Sequence, residues 1–245
     1  MNIYKELIHN MFDNDLTMVH FEQLKATKDR PNIWCFINQG WASSHGLRPL
    51  IRVMNSGKNL NIVIIANDKY TYTTSASEID LGAIAMTFPK VYVASVALKA
   101  NKAQTKAAFD EAVSYKGTSI ILAYEFIPES DFDAERHEQL TQAIVNSGQW
   151  LLYRNNPELA QKNFNSFKLD SEPPSISIKA YINLKDPFVE LLGNDFLDYE
   201  HKIKTQQKKV DRRFDKHLAL SSIAYINRSK LLQNGRIRRT MFPKK

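Results

Sequence analysis

The chain has 245 residues, 43% hydrophobic and 11% aromatic, which suffices for one large globular domain or a domain with an extension; it holds no run of about 18 apolar residues and opens without the basic-then-apolar order of a secretory leader. Cys35 is the only cysteine, which excludes an intrachain disulfide and a four-cysteine zinc or iron–sulfur site and suits a reducing, intracellular compartment such as cytoplasm or an organelle matrix. The net charge of +7 is unevenly spread: residues 201–245 hold 14 Lys and Arg against 2 Asp and Glu, a local net of +12, whereas residues 1–200 carry −5, so the C-terminal part is expected to seek an anionic partner.

Residues 1–30 read as an amphipathic helical segment, with Tyr4, Leu7, Ile8, Met11 and Phe12 on one face. Residues 32–37 read as a strand, and 44–55 as a helix stopped by Ser56-Gly57. The second strand, 61–66, is continuous enough in β-branched residues to be buried on both faces. A third follows at 91–96. Asn101 caps an Ala-rich helix running to Tyr115, with Gly117 in the position after the C-cap, and 118–123 form a fourth strand. Strands separated by helices predict an α/β fold with a doubly wound parallel sheet.

Beyond residue 124 the pattern loosens. Residues 131–147 read as a helix, 149–154 as a short apolar stretch and 157–175 as loop. From 196 onward Phe196, Tyr199, Ile203, Val210, Phe214 and Leu218 recur at helical spacing, giving one apolar stripe on a long helix whose other face is basic. The chain thus divides into an N-terminal helical segment (1–30), an α/β domain (31–195) and a basic helical extension (196–245).

Open parallel sheets bind ligands at the carboxyl ends of their strands. The segments after the first, second and fourth strands are 38–46 with Gly40-Trp41-Ala42, 66–74 and 124–128; beyond them stand Asn61-Ile62-Val63-Ile64, Asp80-Leu81-Gly82 with Ala85-Met86, Tyr115-Lys116-Gly117, Leu152-Tyr153-Arg154 and Leu169-Asp170-Ser171. In this order they resemble the thiamine-diphosphate domain of pyruvate:ferredoxin (flavodoxin) oxidoreductase, over roughly residues 30–200. The resemblance implies a thiamine-diphosphate-binding type of α/β fold. It also implies a cofactor held through Mg²⁺ at the first strand tip.

The departures from that family decide the expected function. Its Gly-Asp-Gly turn, whose aspartate binds Mg²⁺, reads Asn38-Gln39-Gly40 here, and Gln39 is a neutral amide where a hard cation prefers charge. After the second strand, Asn67 opens a segment in which Tyr72 takes the place of a metal-binding asparagine. Thr74 and Ser75 replace glycines there, and Arg48-Pro49 replace another glycine pair. Ile127 stands where the family has a cluster cysteine. Gln39, Asn67, Tyr72 and Ile127 are therefore read as degenerate cofactor positions. Thiamine diphosphate, Mg²⁺ and the iron–sulfur cluster are all expected to be lost, with no catalytic and no metal-binding residue.

Substitute chemistry finds little support. Asp131, Asp133, Glu135, His137 and Glu138 form an acidic cluster best read as an exposed helix start. Ser43, Ser44 and His45 lack an acid to orient the histidine, and no phosphate-binding loop or dinucleotide fingerprint occurs. The expectation is a non-catalytic homologue acting as a structural component of a larger protein or ribonucleoprotein assembly. Its contact would be the basic extension, through Lys208, Lys209, Arg212, Arg213, Arg228, Lys230, Arg236, Arg238 and Arg239, on RNA or an acidic protein surface. The alternative is a divergent thiamine-diphosphate-binding subunit of a 2-oxoacid oxidoreductase.

Overall fold

Four apolar runs become the strands β1 (Trp34–Asn38), β2 (Leu60–Ala66), β3 (Val91–Val96) and β4 (Thr118–Tyr124). All four are parallel, and Ile62 of β2 pairs with Cys35 of β1 on one side and Ile120 of β4 on the other. Every residue of β2 and β3 is buried, as continuous Val/Ile runs require when helices cover both faces. The structure, a computed structural model, describes residues 33–66, 79–125, 134–185 and 196–223. The helical segment expected at 1–30 lies outside them.

The sheet runs β1-β2-β4-β3-β5-β6, so the expected α/β class and parallel core are observed. Its last two members, β5 (Tyr153–Asn155) and β6 (Phe167–Leu169), are antiparallel additions. They fall in stretches read as apolar and as loop, because three residues are too few to display an alternating period.

The helices are α1 (Gln39–Ser43), α2 (Leu47–Ser56), α3 (Leu81–Met86), α4 (Lys102–Ser114), α5 (Ala134–Asn146), α6 (Pro157–Gln161), α7 (Ile178–Lys185) and α8 (Phe196–Ser221). One face of the sheet is covered through Ala42 of α1, Leu50 and Met54 of α2, Leu81 and Ala85 of α3, and Phe214 of α8. The other takes Ala108 and Ala112 of α4, small residues that let the helix approach Tyr92, Ala94 and Ile121. Each fully buried isoleucine or valine in these layers contributes about 1.5–3 kcal/mol.

Local signals act where expected, with one difference. Gly57 ends α2 at φ 64°, a left-handed conformation that costs glycine nothing. The Asn101 side chain caps α4 by accepting from the Gln104 amide at 2.9 Å. Gly117 does not serve as the residue after the C-cap: the chain leaves α4 through an extended Tyr115, whose ring would stand 2.8 Å from any Cβ at Gly117.

The long helix α8 lies on the body. Ile203, Val210 and Phe214 are buried, and Asn165 closes the helix end by donating to the carbonyls of Leu220 and Ser221, both at 2.9 Å. Leu218, expected on the apolar stripe, is 48% exposed, and His217 at 3% takes the inward position. From Phe214, three residues and not four continue the buried face at this point. Among the described residues no helix is long and apolar enough to cross a membrane.

Candidate functional site

A crevice of about 190 Å³ opens at the carboxyl ends of β1, β3 and β4. This is where an open parallel sheet presents its ligand site. Its wall includes Gln39, Asp80, Gly82, Leu122, Tyr153 and His217. Gln39 arrives there because Asn38 turns the chain from β1 into α1, its Oδ1 accepting from the Trp41 amide at 2.7 Å. The Gln39 Oε1 is buried and has no hydrogen-bond partner among the described residues. Asp80 caps α3 the same way, accepting from the Ala83 amide at 2.8 Å.

Gly82 is glycine for want of room: a Cβ there would stand 2.0 Å from the Tyr153 hydroxyl and 2.9 Å from Leu122 Cδ1. Burial, with the Asp80 charge nearby, pushes the Tyr153 phenol well above its ordinary range, so it remains protonated. From α8 come two more groups. Arg213 donates through Nη2 to the carbonyls of Gly148, at 2.9 Å, and Gln149, at 2.6 Å. His217 packs against both Tyr153 and Phe167, with ring centroids 5.1 and 5.6 Å away. Burial, with the positive charges of Arg213 and Lys216, holds its imidazole below the usual range against the opposing pull of the Arg213 carbonyl and Asp80.

The residues singled out from sequence are distributed unevenly. Gln39 is in the crevice; Asn67, Tyr72 and Ile127 lie outside the described residues. Lys208, Lys209 and Arg212 are exposed on α8, whereas Arg213 turns inward. Arg228, Lys230, Arg236, Arg238 and Arg239 lie outside the described residues. Cys35 is half-buried in β1, and burial pushes its thiol up, away from the reactive thiolate. Ser43 and Ser44 give their hydroxyls to the carbonyls of Gln39, at 2.8 Å, and Gly40, at 2.6 Å; Ser44 Oγ also lies 3.4 Å from His45 Nδ1, an exposed contact with no acid orienting the ring among the described residues.

His137 belongs to a different cluster from the acidic one expected. Its Nε2 lies 3.4 Å from Glu125 Oε1, and Lys99 Nζ lies 3.5 Å from the same oxygen and hydrogen-bonds the ring. Burial raises the Glu125 carboxyl while Lys99 opposes the shift. Asp131 and Asp133 lie outside the described residues. Among those described, no three His, Cys, Asp or Glu side chains gather as a metal site. Sequence reasoning missed Asp80, Tyr153 and His217 as crevice residues. The one available signal was the spacing of His217, three residues after Phe214 on the buried stripe.

No family model matches the chain. It is 31% identical over 213 residues to a pyruvate-flavodoxin oxidoreductase of Trichormus variabilis, covering 79% of this chain and 18% of that protein. It is 30% identical over 222 residues to a pyruvate:ferredoxin oxidoreductase of Moorella thermoacetica, covering 80% and 19%. A sulfite reductase [NADPH] subunit beta of Schizosaccharomyces pombe is 33% identical over 162 residues, covering 64% and 11%. The chain therefore spans under a fifth of the length of these relatives.

These relatives correct the expectation that every cofactor is lost. They are oxidoreductases of the family that uses thiamine diphosphate and iron–sulfur clusters, which points to cofactors rather than to none. The crevice supports the correction for the metal. An amide oxygen is an ordinary ligand of hard cations, and Gln39 keeps one buried and unpaired at the β1 tip. Weighing the charge of the side chain alone hid that capacity. A cluster is a different matter, because Cys35 is the sole cysteine of these 245 residues and it packs half-buried within β1. Over about four-fifths of its length, this chain belongs with the pyruvate:ferredoxin and pyruvate-flavodoxin oxidoreductases, as a homologue of one domain-sized part of them.

Proposed function

We propose that this chain works as the thiamine-diphosphate-type domain of a larger 2-oxoacid oxidoreductase assembly, in a reducing compartment, with an altered set of ligands in its crevice. The observation that carries the reading is the orphaned Gln39 Oε1, held at the first strand tip in a chain whose relatives are pyruvate oxidoreductases. In this reading Gln39 offers its amide oxygen to Mg²⁺. Asn38 fixes the turn that aims it, and α8 closes the far wall with Arg213 and His217 and excludes water. Bound thiamine diphosphate supplies the carbanion-stabilising chemistry that cleavage of a 2-oxo acid needs. The rest of the reaction requires groups beyond this chain, which matches under a fifth of each relative.

Calorimetric titration of the full chain with thiamine diphosphate tests it. Micromolar binding that requires Mg²⁺ and weakens about tenfold, roughly 1.4 kcal/mol, in Gln39→Ala is the expected result. No heat up to millimolar cofactor removes the reading.

A second role is compatible with the first and has its own support. The apolar stripe of α8 is committed to the body while Lys208, Lys209 and Arg212 face solvent, so the helix offers a rigid basic surface. We infer that this surface docks the domain on an anionic partner, an RNA backbone or an acidic protein face, as a component of a larger assembly.

A further inference from the structure

The described contacts of the His217 ring define its polar character. Nδ1 lies 2.8 Å from the Arg213 carbonyl oxygen, and the ring meets Tyr153 and Phe167 at tilts of 45° and 57°. A carbonyl only accepts, so Nδ1 carries the proton and Nε2 holds the lone pair of a neutral ring. Nε2 has no hydrogen-bond partner among the described residues. The residue is only 3% exposed, and what surface it keeps lines the crevice. A carbonyl locking one nitrogen while the other faces a cavity is how proteins present an imidazole to a ligand.

Other groups on the same wall repeat the pattern. Gln39 Oε1 is a second buried acceptor without a partner. The Tyr153 hydroxyl, pressed against Gly82, likewise has no partner among the described residues and borders the same space. The remaining wall joins apolar Ile79, Leu122 and Leu151 to Asp80, Ser95 and Gln149. His217 Nε2 and Gln39 Oε1 can only accept, so together they favour a molecule that brings N–H or O–H donors. Asp80 and Arg213 stand on the same wall with opposite charges, so the wall carries no net charge to select for.

We propose that the crevice binds a small, uncharged, donor-bearing molecule, or that portion of a larger one, through His217 Nε2, with Gln39 Oε1 a second acceptor when no metal takes it. At about 190 Å³ the space holds a group the size of about six water molecules. The inference rests on reading this crevice as a ligand site, and it is separate from the identity of the cofactor. His217 is then a ligand-contacting residue contributed by α8, the element that otherwise reads as a basic extension.

The test uses the full chain, ¹⁵N-labelled at histidine, titrated with acetamide and with imidazolidin-2-one as uncharged donor-bearing probes. A separate titration uses thiamine diphosphate with Mg²⁺. Long-range ¹H–¹⁵N spectra report the two ring nitrogens of His217, assigned by their loss in His217→Phe. Binding of a probe should move the Nε2 resonance and leave Nδ1 in place. His217→Phe keeps a ring against Tyr153 and Phe167, and should weaken the probe by about tenfold. No probe binding at tens of millimolar, a still Nε2, or equal probe binding by His217→Phe overturns the proposal. If that variant fails to fold, the wild-type Nε2 shift alone decides. Probe binding through Nε2 without cofactor binding removes the cofactor reading alone. Cofactor binding that ignores His217, with no probe bound, removes this one alone.

Discussion

Arg154 holds the carboxylate of Asp170 with two parallel hydrogen bonds, Nε to Oδ2 at 2.8 Å and Nη2 to Oδ1 at 2.9 Å. β5 and β6 have three residues each, too few for their ladder alone to secure the sheet edge. Arg154 also donates through Nη1 to Glu111 of α4, and the Tyr92 hydroxyl donates to the other Glu111 oxygen at 3.0 Å. One half-buried guanidinium therefore ties the antiparallel edge to α4.

That pair sets a pH dependence. Burial pushes the Asp170 carboxyl up, but the hydrogen bonds and charge of Arg154 outweigh it and hold the group below its usual range. A carboxyl depressed in the folded state contributes stability that is complete above its unfolded value, about 4, and is lost as pH falls through the lower folded value. Asp170→Asn should cost about 1.5 kcal/mol at pH 7, because half-buried Arg154 loses its charged bidentate partner while keeping Glu111. It should also flatten the decline in stability below pH 4. Urea unfolding at pH 7 and pH 3 checks both, and parallel declines in wild type and variant would refute the assignment.

Asn61 is the reverse case, a polar group whose removal should help. It is fully buried in β2, between Trp34 of β1 and Ser119 of β4, and its backbone amide donates to the Ile33 carbonyl at 2.9 Å. Neither its side-chain Nδ2 nor its Oδ1 has a partner among the described residues. Burying an unmade hydrogen bond costs about 1–3 kcal/mol, and a β-branched residue suits a central parallel strand. Asn61→Val should therefore raise the urea midpoint, by about 1 kcal/mol of stability. A lowered midpoint would show that the amide is satisfied in solution by a trapped water.

The parallel core was legible because each strand announces itself. Val91 to Val96 is an unbroken apolar and β-rich run, and no other element competes for it. The same logic failed at β5 and β6, whose three residues carry no period. The crevice was legible in place but not in content. Gln39 could be located from the turn it replaces, whereas the fact that its oxygen has nothing to bond exists only in three dimensions. His217 is marked in the sequence only by its spacing from Phe214. Tyr153 and Phe167 reach it only when β5, β6 and α8 pack together.

Arg212 and Arg213 show the same limit within one dipeptide, and the final prediction turns on them. Adjacent residues on a helix point about 100° apart, so a basic run read as one surface is divided by the turn. Arg212 faces solvent with Lys208 and Lys209, while Arg213 is spent on the Gly148 and Gln149 carbonyls. Combining Lys208→Glu, Lys209→Glu and Arg212→Glu should leave stability within about 0.5 kcal/mol, as exposed substitutions do. The same variant should lower affinity for single-stranded RNA at low salt. The slope of log K against log salt should shrink by about 2, three phosphate contacts at roughly 0.7 each. Arg213→Ala should do the opposite, costing about 2 kcal/mol by stranding two carbonyls and leaving RNA affinity of the folded protein unchanged. Affinity that survives the triple charge reversal would move the docking surface off α8. A triple variant that loses RNA affinity but still binds an acidic protein would split the two kinds of anionic partner.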